Sequence, residues 1–397
     1  SSRIEYQQLK ILFLYTFNTK LELTTKIFLD YLYFNDGFCS IEKLRLITKE
    51  KYTMKNTKHS HFGGFIKKTG LAIIATTIAL SASIAQAADI KPAVVYDTAG
   101  KNDKSFNEAV YNGIMRFAND TGIAVTELEP TNEAMMEQSL KKFAQRGYNP
   151  VVAVGFTMAN AVAAAAAEYP DTWFTIIDGV VDAPNVQNVV FKEQEGSFLV
   201  GIMAAMASST GTVGFVGGMD IPLISRFECG YKQGVAHQDS SMNVLAQMTG
   251  STPAAWGNPT KGGEITRSQV ENGADVVYAA AGGTGMGVYQ TAADMGVLAI
   301  GVDSNQNYIQ PGTMLTSMYK KVGLAAYESF EAAMNGTWEA GFKVNGVAED
   351  GVGAAMDEYN ADLVSAEMLA AVETARAGII DGSIVVHDYM SDNTCPL

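Results

Sequence analysis

Two α/β lobes built on parallel sheets are what this sequence predicts, and three observations carry the prediction. Short β-rich runs alternate with amphipathic helical stretches, a pattern that argues a parallel sheet with helices on both faces. The alternation starts at Ala93 and restarts near Gly196, which argues a second lobe. From Ala88 onward the chain holds about 310 residues, enough for two domains of ordinary size.

The first series of β-rich runs is Ala93–Tyr96, Ala124–Leu128, Val151–Gly155, Phe174–Ile177 and Val186–Phe191. Helices are predicted between them at Ser105–Thr121, Asn132–Arg146 and Met158–Glu168. The run Ala163–Ala167 favours helix by propensity, and Tyr169-Pro170 stops it. The second series is Val213–Val216, Asn243–Met248, Asp275–Ala279 and Val297–Ile300, with helices at Leu223–His237, Gly263–Asn272 and Gly285–Met295. A strand Met314–Met318, a helix Val322–Asn335, a turn-rich stretch Gly336–Glu358, a helix Ala361–Ala377 and a last strand Ser383–His387 complete the series. No tandem repeat or heptad array is present, so the restart is architectural.

The residues ahead of this pattern have a different character. From Met54 they show a basic region ending in Lys67-Lys68, an apolar stretch Leu71–Ile84 and the small-residue site Ala85-Gln86-Ala87. That is the pattern of a secretory signal cleaved after Ala87. The apolar stretch is shorter than the ~20 residues a membrane span needs. No Cys stands at the cleavage point, so the expected product is a periplasmic protein without lipid. Residues 1–53 are read as upstream sequence translated in error.

Charge separates the same two parts. The whole chain carries 28 Lys and Arg against 42 Asp and Glu, a net charge of −14. Ser1–Ala87 holds 12 against 6, and the remainder 16 against 36. A mature chain this acidic is unsuited to nucleic acid, because phosphate binding needs clustered Lys and Arg. Beyond the predicted leader the histidines are His237 and His387, with no metal-ligand spacing, so neither a metal nor a cofactor is expected. Cys229 and Cys395 could pair in an oxidising periplasm, or stand as one buried thiol and one exposed tail thiol. Their separation in sequence decides nothing.

The stretch Val94–Gly113, VVYDTAGKNDKSFNEAVYNG, carries the most information. It reads as a strand, a polar Gly-containing loop and a helix, and a strand end opening into a helix N-terminus is where open α/β sheets bind ligands. With VVAVGFTMAN, IIDG, EGSFLVG, VGFVGGMDIPLISRFECGYKQG, ADVVYAAAGGTGMGV, IGVDSNQ and TSMYKK in that order, it resembles the basic membrane protein family. These are substrate-binding proteins of ABC transporters, including purine nucleoside receptors. The resemblance covers essentially all of Ala88–Leu397. It implies a type I periplasmic-binding-protein fold: two Rossmann-like lobes, a hinge of three crossings and a ligand held in the cleft. One lobe is expected from 88–192 with 306–343, the other from 193–305 with 344–397. Hinges are expected near Phe191–Glu193, Asn305–Tyr308 and Gly341–Val344. Many relatives read DSDQ where this chain has Asp303-Ser304-Asn305-Gln306.

Side-chain chemistry and the resemblance together nominate the site. Phe106 and Phe227 are candidates to stack on the two faces of a purine, although a Phe is more often a core residue. Asn107 and Asp97 are candidates to read the base edge, since an amide donates and accepts while a carboxylate accepts. Asn107 could equally cap a helix. Asp178 follows a strand on the ligand side of the sheet, where a plain turn residue would look the same. Asp303 suits vicinal ribose hydroxyls, and Lys320 can donate to a sugar oxygen or stand as a surface cation. The glycines Gly282–Gly287 lack both the dinucleotide and the phosphate-loop spacing, which leaves a tight turn or a backbone donor at Gly283. Trp256 rims the cleft or packs on the surface.

The expected function is a non-enzymatic receptor: a monomer that captures a purine nucleoside and delivers it to permease subunits. The alternatives are a receptor for a free purine or another small solute, and a periplasmic nucleoside-processing enzyme. No G-x-S-x-G, metal cluster or His beside carboxylates supports the enzyme. A repressor built on the same lobes would carry a basic helix-turn-helix, which this sequence does not show.

Overall fold

A computed structural model describes residues Asp89–Leu397. The expectations for residues 1–53 and for the signal peptide 54–87 fall outside the described residues.

Two six-stranded sheets form. The first contains β1 (Ala93–Val95), β2 (Thr126–Leu128), β3 (Val151–Val154), β4 (Phe174–Ile177), β5 (Val186–Phe191) and β11 (Gly341–Asn345), in the order β11-β5-β4-β3-β1-β2. The second contains β6 (Thr212–Met219), β7 (Asn243–Gly250), β8 (Val276–Ala280), β9 (Leu298–Asp303), β10 (Met314–Lys320) and β12 (Val352–Ala354), in the order β12-β10-β9-β8-β6-β7. All pairings are parallel except β10 with β12. The central strands are buried on both faces, so β3 and β8 read as continuous apolar runs, and β4 departs from one only at the buried Thr175.

Helices α1 (Phe106–Thr121), α2 (Glu133–Gln145) and α3 (Ala159–Glu168) fall among the strands of the first sheet. Those among the strands of the second are α4 (Glu193–Ala207), α5 (Pro222–Gln238), α6 (Pro259–Glu271) and α7 (Gly285–Met295). Then come α8 (Val322–Met334), α9 (Ala366–Asp381) and the short α10 (Tyr389–Asp392). Asn132, Asn258 and Ser365 cap α2, α6 and α9, each side chain accepting from a backbone N–H of the first turn.

The chain leaves the first sheet after Phe191, because α4 packs on α5, β10 and β12. It returns after Lys320, where α8 packs on α1 and β4. It leaves again after β11, which pairs with β5. Residues 306–320, placed with the first lobe on sequence, therefore sit with the second, since Met314–Lys320 pairs with β9. Asn305–Tyr308 is not at a crossing, and the stretch Gly341–Val344, expected as a hinge, lies inside β11.

Other differences have local causes. Helix α4 is missed in the sequence reading because it is buried nearly all round, which erases its apolar periodicity. The turn-rich stretch hides β11 and β12, two short edge strands. The expected strand Ser383–His387 does not form. Residues 383–388 instead run as irregular chain toward α5, fixed there by side-chain bonds described below.

Candidate functional site

Seven of the nominated residues, Asp97, Phe106, Asn107, Asp178, Phe227, Asp303 and Lys320, line one cleft. It holds about 590 Å³ of space free of atoms, its open mouth included. It lies at the carboxyl ends of β1, β3, β4, β8, β9 and β10, the side of a parallel sheet where ligands bind. Gly283 is the exception. Gly282, with φ 56°, lines the cleft in its place, and Gly283 faces the Trp256 and Asp103 backbones instead.

The loop after β1 builds the polar end. Asp103 caps α1: its carboxylate accepts from the backbone N–H groups of Ser105, Asn107 and Glu108 at 2.9–3.0 Å. That leaves Asn107, weighed above as a cap, free for other work. Its Nδ2 donates to Asp97 Oδ1 at 2.9 Å and to Asp103 Oδ2 at 3.1 Å. Both partners are acceptor-only when ionised, so the amide orientation is forced. Asn107 Oδ1 then points away, buried and without a partner. Burial pushes the Asp97 carboxyl up to about 6, against the hydrogen bonds from Ala99 N–H and Asn107.

Asp178 and Asp303 end the neighbourhoods of β4 and β9. Both adopt the left-handed backbone, φ 63° and 66°, which short polar side chains tolerate best after glycine. Asp178 Oδ2 is bonded to the Lys320 ammonium, while its Oδ1 is buried with no partner. Asp303 accepts from the Ser105 hydroxyl at 2.5 Å. Burial pushes Asp303 up to about 6, against Lys320 and Ser105. Burial also raises Asp178, with Glu193 and Asp303 adding to it and Lys320 opposing.

Lys320 is the hub. Its side chain is 1% exposed, and it contacts Glu193 at 2.7 Å as well as Asp178. Burial works against its charge, but Asp178, Glu193 and Asp303 outweigh that and hold it above the ordinary lysine value. The ring centroids of Phe191, Phe106 and Phe227 stand 5.1, 5.5 and 5.5 Å from Nζ, a favourable distance for a cation over aromatic faces. Glu193 also takes the Arg226 guanidinium at 2.9 Å, and Arg226 in turn holds Asp388 through two bonds of 2.8 Å. The ion network therefore runs from the cleft to the C-terminal tail.

Helix α5 carries Arg226 and Phe227, and glycines seat it. A Cβ at Gly234 would lie 2.0 Å from Phe198 O, and one at Gly230 would lie 2.3 Å from Gln194 O, so α4 and α5 approach backbone to backbone. The tail secures the same helix. Cys395 is disulfide-bonded to Cys229, and Gln233 bonds the backbone N–H and C=O of His387.

Three further residues shape the cleft. Trp256 lines it, with its ring over Gly218, where a Cβ would fall 2.1 Å from the indole. At Gly155, φ 100°, a Cβ would come within 3.2 Å of Asp97 Oδ2 and 3.7 Å of the Phe106 ring. Glu193 was not nominated because its partners are distant in sequence. Asp103 was legible, since a carboxylate just ahead of an amphipathic run marks a helix start.

Comparison with known proteins agrees with this geometry. A family model described as ABC transporter substrate-binding protein PnrA-like, Bmp, matches residues 90–388. The Lactococcus lactis ABC transporter nucleoside-binding protein BmpA is 31% identical over 75% of this chain and 89% of its own length. A solved Aeropyrum pernix ABC transporter solute-binding protein superposes with a TM-score of 0.69 at 27% identity, over 75% of this chain and 94% of its own. The architecture is the type I periplasmic-binding-protein fold. Relatives from Pyrococcus abyssi, Pyrococcus horikoshii and Pyrococcus furiosus, each 30% identical over 68–72% of this chain and 69–77% of theirs, are named lipoproteins. That overturns the expectation of a periplasmic protein without lipid. The expectation rested on a local cleavage pattern, which does not by itself decide how the mature chain is anchored. A small-molecule ligand, permease partners and a non-enzymatic role follow from family membership. With residues 90–388 matched by its model, this chain belongs to the Bmp family of PnrA-like ABC transporter substrate-binding proteins.

Proposed function

We propose that this chain captures a purine nucleoside between its two lobes and delivers it to a membrane permease. The observation that carries the reading is a pair of buried acceptors, Asn107 Oδ1 and Asp178 Oδ1, that have no partner in a cleft walled by Phe106, Phe227 and Trp256. An unsatisfied buried acceptor costs about 1–3 kcal/mol, so the cleft favours a ligand that brings N–H or O–H donors. The aromatic walls favour one that is flat. A purine nucleoside has both properties. A relative bearing the name nucleoside-binding protein supports the same reading.

In this reading Phe106 and Phe227 stack on the base while Asp97 and Asn107 read its edge. Asp178, Asp303 and Lys320 hold the ribose, and the Gly282 turn lets backbone approach the ligand. The lobes are residues 89–192 with 321–345, and 193–320 with 346–397. They hinge at the three crossings.

A thermal-shift screen of the purified chain against nucleosides, free bases, sugars and amino acids tests this. A ligand at a hundred times its dissociation constant stabilises by roughly 2.7 kcal/mol. Stabilisation by inosine, adenosine or guanosine is expected. A response to sugars or amino acids with none to nucleosides sinks the reading, and a response to free bases alone favours a purine receptor.

A further inference from the structure

The stretch Asn305–Tyr308, expected on sequence as a hinge, lies between β9 and β10 of the second lobe and meets the first lobe across the cleft. Gln306 makes that contact. Its Oε1 accepts from Val302 N–H at 2.7 Å and from the Tyr289 hydroxyl at 2.7 Å, both within the second lobe. Its backbone N–H donates to Ser317 Oγ at 3.0 Å. With the carbonyl end of the amide held twice, Nε2 is aimed in one direction. It donates to Lys104 O of the first lobe at 2.7 Å. Lys104 presents that carbonyl from a left-handed backbone, φ 60°, between the capping Asp103 and Ser105. The Ser304 hydroxyl reaches the same oxygen at 3.4 Å. Gln306 is 1% exposed and does not line the cleft.

We propose that Gln306 is a positioning residue that holds the lobes together and sets affinity for every ligand of this cleft by one common factor. Its amide is oriented before the lobes meet, so little ordering is needed when Lys104 O arrives. When the lobes part, a polar group lodged among Tyr289, Val302 and Ser317 loses its partner. Apparent affinity scales with the fraction of molecules in the binding-competent form. A contact that stabilises that form without touching ligand therefore multiplies all affinities equally. The side chains proposed to hold the ribose differ in this respect, because losing one weakens the nucleoside and spares the free base.

The choice of probes rests on the nucleoside reading above. Gln306→Glu is close to isosteric. It keeps an acceptor for Tyr289 and Val302 but sets an oxygen against Lys104 O. Calorimetry with inosine and hypoxanthine is expected to show both affinities falling by the same factor, about 10- to 100-fold. Tyr289→Phe removes one of the two bonds that aim the amide and leaves the fold's charges unchanged. It is expected to give a smaller common loss, and it carries the test if the glutamate variant does not fold. Unchanged affinities, or a loss confined to inosine, overturn the proposal. If the parent protein binds neither probe, the nucleoside reading fails and scattering decides this one separately. A ligand-free radius of gyration larger in Gln306→Glu than in the parent upholds it, and equal radii overturn it.

Discussion

The two lobes share one strand order yet finish it differently, and the difference explains the site. Strands β4 and β9 occupy the same position in their sheets, and each leads to a buried aspartate with a left-handed backbone, Asp178 and Asp303. The next strands also correspond, but β5 ends in Phe191 and β10 in Lys320. Neither aspartate is satisfied from its own lobe. Asp178 takes Lys320 from the end of β10, and Asp303 takes Ser105 from the start of α1. The shared scaffold thus supplies two equivalent carboxylates, and the one cation at the end of β10 makes them unequal. Asp178 sits in an ion network, whereas Asp303 rests on a hydroxyl that a ligand can match.

Removing the cation breaks the comparison most severely. Lys320→Met leaves Asp178 and Glu193 facing each other without their shared partner. Breaking a buried pair typically costs about 3–5 kcal/mol, so a large drop in the urea midpoint is expected. A midpoint equal to the parent's would mean that the unequal ends of β5 and β10 carry no energetic weight.

The second lobe alone is stapled. The Cys229–Cys395 bond joins residues 166 apart and ties the tail to α5. Cys395→Ser is expected to cost about 2–4 kcal/mol, mainly by freeing the unfolded chain. Hydrogen exchange should rise in α5 and at residues 383–395 while β1–β4 stay protected. Equal loosening of both lobes would contradict that placement.

Asp303→Asn sharpens the contrast between the carboxylates. Asparagine accepts the left-handed backbone but offers a weaker acceptor. Nucleoside affinity should fall by about 1.5–3 kcal/mol, with free-base affinity nearly unchanged. Phe106→Ala should instead weaken base and nucleoside alike, by about 1–3 kcal/mol. Calorimetry on the two variants tests whether the cleft has the ribose end and the base end proposed above.

The smallest effect is a pH dependence of opposite sign for stability and for binding. Burial raises Asp97 and Asp303 to about 6, above the ordinary carboxylate value. Between about pH 4 and 6 the folded protein then holds more protons at these groups than the unfolded chain does. Their contribution to stability is full below that window and is lost as the pH rises through it. Binding runs the other way, because a protonated carboxylate gives up acceptor capacity. From pH 7 to 5, affinity should fall while the Tm of the parent rises relative to that of Asp97→Asn/Asp303→Asn. Parallel pH profiles in the two proteins would refute the assignment.

Much of this was legible before the structure. The strands Phe174–Ile177 and Val186–Phe191 and the helix Gly285–Met295 end at Asp178, Lys192 and Gly296, and their limits agree with the sequence reading. Asp97, Phe106 and Asn107 fall within a single strand–loop–helix unit, where local pattern and chemistry, together with the family resemblance, nominate them. Helix α4 was not legible, because burial on every side leaves no periodicity. Trp256 stayed undecided, since its place depends on Gly218, 38 positions away, being small enough to admit the indole.

The sequence by itself determined the two parallel-sheet lobes and the residues most of the cleft would use. Alternation, propensity and loop chemistry act over a few residues and are written in order along the chain. Only the tertiary structure decided that 314–320 completes the second sheet, that Cys229 meets Cys395, and that Lys320 joins Asp178 to Glu193. It also decided that Gln306 reaches Lys104 across 202 positions of sequence. Those are partner choices, and a partner is chosen by which strand ends and helix faces packing brings within about 3 Å of one another.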